Sequence, residues 1–333
     1  MTKALGLLSG GLDSILASRL IMNLGVHVTG LTFTSPFFGA ERAKDAARML
    51  GIELIVRDIT EEHLEIVRKP HYGYGKNFNP CVDCHALMLR SAGALMEELG
   101  YDFIFTGEVV GQRPFSQNIR MLQIVAEASG YPDRLLRPLT AKKLKMTEVE
   151  RIGLVDREQL LDIYGRGRKR QFELAKKWGI TRYSNPAGGC LLTDVNFCAR
   201  MKAAIDDGCP IEVRMVELLK LGRHFRLRDG VRLIVGKNHA DNEAIVENAP
   251  NDGLLVKISD LPGPTGLFSG EPNEEDIAIS SAILARYTDI SADGKPELLA
   301  WSKDGSREFR RPLEKAFTPE ETLRYLITKD NGS

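Results

Sequence analysis

The chain has 333 residues, 43% of them hydrophobic and 27% charged, enough for two globular domains with sizeable cores. Its 45 basic and 45 acidic side chains cancel, so no global field draws in nucleic acid or membrane, and no apolar run approaches a membrane span of roughly 18 residues. The N-terminal MTKALGLLSGG lacks a signal-peptide stretch, and five cysteines, an odd number, do not suggest a secreted disulfide framework, so the expected setting is the cytoplasm.

In chain order, KALGLL (3–8) reads as a strand ending at a Ser-Gly-Gly turn, and residues 14–24 have helical apolar spacing before Gly25. VHVTGLTFT (26–34) is β-rich, 41–50 reads as a helix stopped by Gly51, and IELIVRDI (52–59) as another strand. A helix over 85–99 then precedes a strand at 101–108. This alternation predicts an α/β domain over 1–200, a parallel twisted sheet with helices on both faces. Further on come a helix at 212–222, short strands at 223–236, 253–261 and 265–270, a hairpin turn at Asp229-Gly230 and a helix at 274–289. These predict a smaller α+β domain over 215–330.

The residues with most chemical content are SGGLDS (9–14), between the first strand and the first helix. Glycines let backbone amides converge on a phosphate, and the following helix adds its positive end. Ser9, Gly10 and Gly11 supply the turn, Ser14 a hydroxyl, and Asp13 a carboxylate suited to positioning Mg²⁺ or a reacting group. The same residues would also serve as a plain turn with Asp13 or Ser14 as a helix cap. The loop resembles the SGG-x-DS loop of the PP-loop ATP pyrophosphatases, which have an adenine nucleotide alpha hydrolase-like fold. That resemblance implies ATP cleaved to AMP and pyrophosphate through an adenylated intermediate. It gives Ser9, Gly10, Gly11 and Ser14 to pyrophosphate, Asp13 to the reaction centre, and Thr34 and Gly107 to the nucleotide site.

Cys81 and Cys84 form a C-x₂-C pair in NPCVDCH (79–85), and Cys190 follows two glycines in NPAGGC. Three such thiols could hold a [4Fe–4S] cluster with one open iron, run a persulfide relay, or bind zinc beside His85; they could also be buried structural thiols. Cys198 and Cys209 read as packing residues. The segment 79–85 resembles the NPCxxCN segment of tRNA 2-thiouridylases, with His85 in place of Asn, and TGEVVGQ (106–112) is similar to TGESLGQ of tRNA 4-thiouridine synthases. The three-cysteine set resembles that of the cluster-dependent tRNA thiolases. Together these imply an ATP-dependent tRNA thiouridine synthase with catalytic Asp13, Cys81 and Cys190, metal ligands Cys81, Cys84 and Cys190, and a sulfur donor such as sulfide or a cysteine desulfurase. Unlike the 4-thiouridine synthases, the chain is expected to have no N-terminal THUMP-type RNA domain and no rhodanese domain. Rival readings are an amidotransferase-type PP-loop enzyme and a non-catalytic RNA-binding protein.

Residues 134–182 carry 14 Lys/Arg against 6 Asp/Glu. Within them Arg166, Arg168, Lys169 and Arg170 are expected to contact RNA phosphates, the alternative being a solvated helix face. In the tail, VGKNHADNEAI (235–245) resembles the NFACT RNA-binding domain, which implies RNA contacts by Lys237 with Asn238 and Asn242. The alternative is a glycine turn capped by the asparagines.

Overall fold

In the computed structural model, which describes residues 1–75, 77–113, 115–183, 189–291 and 295–328, strands and helices alternate along the first half. They run β1 (Lys3–Leu7), α1 (Leu12–Asn23), β2 (His27–Thr34), α2 (Glu41–Leu50), β3 (Leu54–Asp58), α3 (Thr60–Arg68), α4 (Cys81–Glu98), β4 (Phe103–Phe105), α5 (Ile119–Ser129), β5 (Leu135–Leu136), α6 (Glu148–Arg151) and α7 (Lys169–Lys177). The strands form one parallel sheet in the order β3-β2-β1-β4-β5. Successive side chains point to opposite faces, and both faces are apolar. Ala4, Val28, Phe103, Phe105 and Leu136 enter one core with α1 and α2. Leu5, Leu31, Phe33, Ile104 and Leu135 enter a second with α4 and α5. The parallel sheet with helices on both faces is therefore as the alternation predicts.

Two boundaries shift. Helix α1 begins at Leu12, which draws Asp13 and Ser14 into its first turn. Helix α4 begins at Cys81 behind Pro80, so the cysteines lie on its first turn instead of ahead of it. Proline is tolerated at a helix start because its missing N–H has no intrahelical partner there.

The chain divides into compact units Met1–Thr193 and Asp194–Ser333. The second holds α8 (Val195–Asp206), α9 (Val213–Lys220), β6 (Arg223–Arg228), β7 (Val231–Val235), α10 (His239–Asn248), β8 (Leu255–Ile258), β9 (Gly266–Ser269), α11 (Glu274–Ala285), β10 (Glu297–Trp301), β11 (Glu308–Pro312) and α12 (Pro319–Leu323). Its six strands form an antiparallel sheet, β11-β10-β8-β9-β7-β6, opened by the β6–β7 hairpin at Asp229-Gly230. Leu233, Val235 and Val256 face α11 on one side. Ile234, Leu255 and Leu267 share a core with Ile245 of α10 on the other. No helix among the described residues is long and apolar enough to cross a membrane.

Candidate functional site

In an open parallel sheet, ligands bind beyond the carboxyl ends of the strands where the strand order reverses. Here β1 leads outward to β2 and β3, and the later strands β4 and β5 lie on its other side, so the reversal falls between β1 and β4. The loop 9–14 follows β1, and Thr106-Gly107-Glu108 follows β4. Gly10 has φ 75°, and a Cβ on it would run into the Arg42 carbonyl. A Cβ on Gly107 would lie 2.5 Å from the backbone of Asp13 and Ser14. Only glycine permits that approach.

Helix α1 has Gly11 at its N-cap and no side-chain cap, so the reading of Asp13 or Ser14 as cap is not realised. Its first-turn amides are left for an anion. Ser14 Oγ donates to the Gly11 carbonyl at 2.8 Å and lies 3.3 Å from Ser9 Oγ, holding the turn closed.

Asp13 is the centre of a network assembled from distant parts of the chain. Its Oδ2 accepts from Arg168 Nη2 at 2.8 Å and from Gln112 Nε2 at 2.6 Å. Gln112 in turn accepts from Gln171 Nε2 at 3.3 Å. Asp13 Oδ1, Arg168 Nε and Gln171 Oε1 are buried without a hydrogen-bond partner among the described residues. Buried polar atoms are almost always satisfied, so three orphans around one carboxylate mark a place where a polar ligand completes the network. Asp13 Oδ1 is the free oxygen that a Mg²⁺ ion would fit.

Sequence reasoning missed Gln112 and Gln171 as members of this centre, although Gln112 ends the quoted TGEVVGQ. Arg168, expected on RNA, turns inward to Asp13. Thr34 donates to Asp58 Oδ2 at 2.9 Å across the ends of β2 and β3, so its hydroxyl is engaged within the sheet edge.

Cys81 and Cys84 stand three residues apart on α4 and so share a face. Burial, then the charges of Cys190, Cys81 and Asp83, push the Cys84 thiol well above its ordinary value. Burial also raises Cys81, with Arg113 pulling part of the way back. Among the described residues no three of His, Cys, Asp and Glu are grouped to hold a metal ion. The expected [4Fe–4S] ligand set of Cys81, Cys84 and Cys190 is thus not shown among the described residues; residues 185–188 of NPAGGC lie outside them.

His85 does not join the thiols as a zinc ligand through Nδ1, which lies 2.9 Å from Glu108 Oε1. Arg137 Nε donates to Glu108 Oε2 at 2.8 Å. Burial works against ionisation of Glu108, but Arg137 and His85 overcome it and hold the carboxyl far below the usual range. A buried anion one residue from Gly107 therefore ties the loop after β4 to the cysteine helix.

Of the other expected RNA contacts, Arg166 and Lys169 are exposed and Arg170 pairs with Asp162 at 2.5 Å. In the second unit Asn238 caps α10 by accepting from Asp241 N, and Asn242 clamps the Gly263 carbonyl and Thr265 amide. Both asparagines are spent on the fold. Lys237 is exposed, and burial with the charge of Arg200 lowers its ammonium from the ordinary value. Cys198 is buried as expected, and Cys209 accepts from Arg232 Nη2 at 3.0 Å.

Residues 1–153 match the family model described as Thiamine biosynthesis protein (ThiI), and residues 222–325 match that of the NFACT protein RNA binding domain. A structure described as a 4-thiouridine synthetase–RNA complex with bound ATP is 28% identical over 41% of this chain and 36% of that one, TM-score 0.35. This chain thus spans little more than a third of that protein's length. A predicted subunit of tRNA methyltransferase from Methanocaldococcus jannaschii is 18% identical over 53% of this chain and 76% of that one, TM-score 0.34. The C-terminal part of the fibronectin/fibrinogen-binding protein from Streptococcus suis is 11% identical over 49% of this chain and 79% of that one, TM-score 0.28.

Proposed function

We propose, from the premise that residues 1–153 match the ThiI family and 222–325 the NFACT RNA-binding domain, that the chain is an ATP-dependent tRNA sulfurtransferase. The observation that carries the reading is the Asp13 network, whose three orphaned polar atoms face an uncapped helix start. That arrangement suits a triphosphate.

ATP binds with its pyrophosphate end on the α1 amides, Ser9 and Ser14. Mg²⁺, held by Asp13 Oδ1, would neutralise charge on the leaving pyrophosphate. A uridine carbonyl oxygen attacks the α-phosphorus, pyrophosphate departs, and the oxygen becomes part of an AMP leaving group. The terminal sulfur of a Cys190 persulfide attacks the activated carbon and AMP leaves. The Cys81 thiolate then attacks Cys190 Sγ, which breaks the persulfide S–S bond, forms a Cys81–Cys190 disulfide and frees the thiocarbonyl. A thiol reductant returns two electrons, and a persulfide donor such as a cysteine desulfurase reloads Cys190. The five free cysteines suit a reducing cytoplasm.

The test is pyrophosphate release with and without tRNA, followed by mass spectrometry of the digested nucleosides. tRNA-stimulated release with thiouridine formed, and in Cys190→Ala thiouridine lost while the adenylating pyrophosphate release persists when a persulfide donor supplies sulfur, are the expected results. Release stimulated by another acceptor and indifferent to tRNA would overturn the reading. About four irons per chain in anaerobically purified protein would replace the persulfide step with sulfide chemistry.

A further inference from the structure

Three large aromatic side chains of the first unit stand in water, Tyr164 at 63%, Phe172 at 48% and Tyr183 at 39% of full exposure. Around them Arg166, Lys169, Lys176, Lys177 and Arg182 are exposed, and none pairs with a carboxylate among the described residues. Lys169, Phe172, Glu173 and Lys176 recur at the i, i+3, i+4, i+7 spacing that makes one exposed helix stripe on α7. The Phe172 and Tyr183 rings lie 6.4 Å apart and 31° from parallel.

These rings flank the reaction centre. Gln171, fully buried, reaches inward to Gln112, and its neighbour Phe172 turns outward. The Tyr164 ring lies against Gly111, next to Gln112, where an added Cβ would stand 3.4 Å from its Cζ. An exposed ring contributes nothing to the core, and rings interleaved with unpaired cations match a single-stranded nucleic acid. A duplex hides the faces of its bases, whereas an unpaired loop offers them for stacking.

We propose that Tyr164, Phe172 and Tyr183 form a stacking platform for unpaired bases beside the target uridine, with Arg166, Lys169 and Lys176 on the phosphates. This rests on the tRNA reading above and adds the form of RNA taken: an unpaired loop or a strand opened at the target.

The experiment is fluorescence anisotropy of the full chain with a labelled single-stranded oligonucleotide and a matched RNA duplex across a salt series. Wild type is expected to prefer the single strand. Phe172→Ala and Tyr183→Ala should each weaken single-strand binding by about tenfold, with the salt slope unchanged, and Phe172→Tyr should restore it. Lys169→Ala and Lys176→Ala should each reduce the log–log salt slope by about 0.7. Unaltered thermal midpoints certify that the exposed-site variants fold. Wild-type preference for duplex, or ring variants that bind the single strand as wild type does, would overturn the platform and leave the rings to a protein partner. With tRNA-stimulated pyrophosphate release intact, that result fells the platform alone; without it, the parent reading falls too.

Discussion

Asp13 and Arg168 are 155 positions apart and share one ion pair at 2.8 Å, with side chains only 17% and 16% exposed. Removing one partner leaves the other poorly solvated, so Arg168→Ala should cost about 1–3 kcal/mol of stability. The double variant with Asp13→Asn should recover part of that loss, as a double-mutant cycle by urea titration would show. Simple additivity would mean that the pair does not couple. A different residue sets a pH limit. His63 is fully buried against Phe37 and Phe38, and burial lowers its pKa to about 4. The unfolded chain takes up that proton near pH 6.5 and the folded chain does not, so this contribution is complete above 6.5 and lost as pH falls toward 4. It amounts to roughly 3 kcal/mol. The His63 ring proton in an NMR titration should stay unshifted down to about pH 5; a midpoint near 6.5 would contradict the burial. The loop and the C-x₂-C pair were legible because each is a local pattern. The Arg168 role was not, because a cation inside a run of cations looks solvated until the fold turns it inward. Gln171 carries no signal of its own, and Gln112 only its place at the end of TGEVVGQ: a glutamine is notable mainly by what it meets.

Among elements, the end of β4 presses on the loop 9–14. Gly107 touches the backbone of Asp13 and Ser14, so Gly107→Ala forces either the loop or β4 to move by a good fraction of an ångström. ATP affinity should fall at least tenfold, by calorimetry, because preorganised amides lose their aim. The thermal midpoint should drop by only a few degrees, since the core clusters on each sheet face remain. Unchanged affinity would place the phosphates elsewhere. Periodicity revealed β1 to β4, β6 to β9 and the helices α1, α2, α4, α9 and α11, because apolar alternation at β1 and β2 and amphipathic spacing at α2 are strong; it passed over β5, β10 and β11 and short helices such as α3, α6 and α12. It missed the first turn of α4, where polar and thiol residues carry no apolar period, so the helix expected over 85–99 leaves out Cys81 and Cys84. The NFACT resemblance implied RNA contacts by Asn238 and Asn242, with capping asparagines as the alternative, and Asn238 does cap a helix, α10.

At the scale of the molecule, each unit has its own cores and its own tryptophan, Trp178 in the first and Trp301 in the second. A ligand that binds one native unit stabilises that unit by mass action. Saturating ATP should therefore raise the unfolding midpoint reported by Trp178, read in Trp301→Phe, and leave that of Trp301, read in Trp178→Phe, nearly in place. Equal shifts would show that the two unfold as one. The zero net charge conceals this division of labour: the basic stretch lies in the first unit and the acidic excess in the tail.

Arg168 is at once the partner of Asp13 and the N-cap residue of α7, whose outer stripe carries Phe172 and Lys169. Phosphates arriving at Asp13 compete for that guanidinium, and any shift in it is felt at the start of the helix. If α7 receives RNA, the two substrates are thermodynamically coupled through one residue. The factor by which ATP changes the RNA dissociation constant must then equal the factor by which RNA changes that of ATP, so either order of addition closes the same cycle.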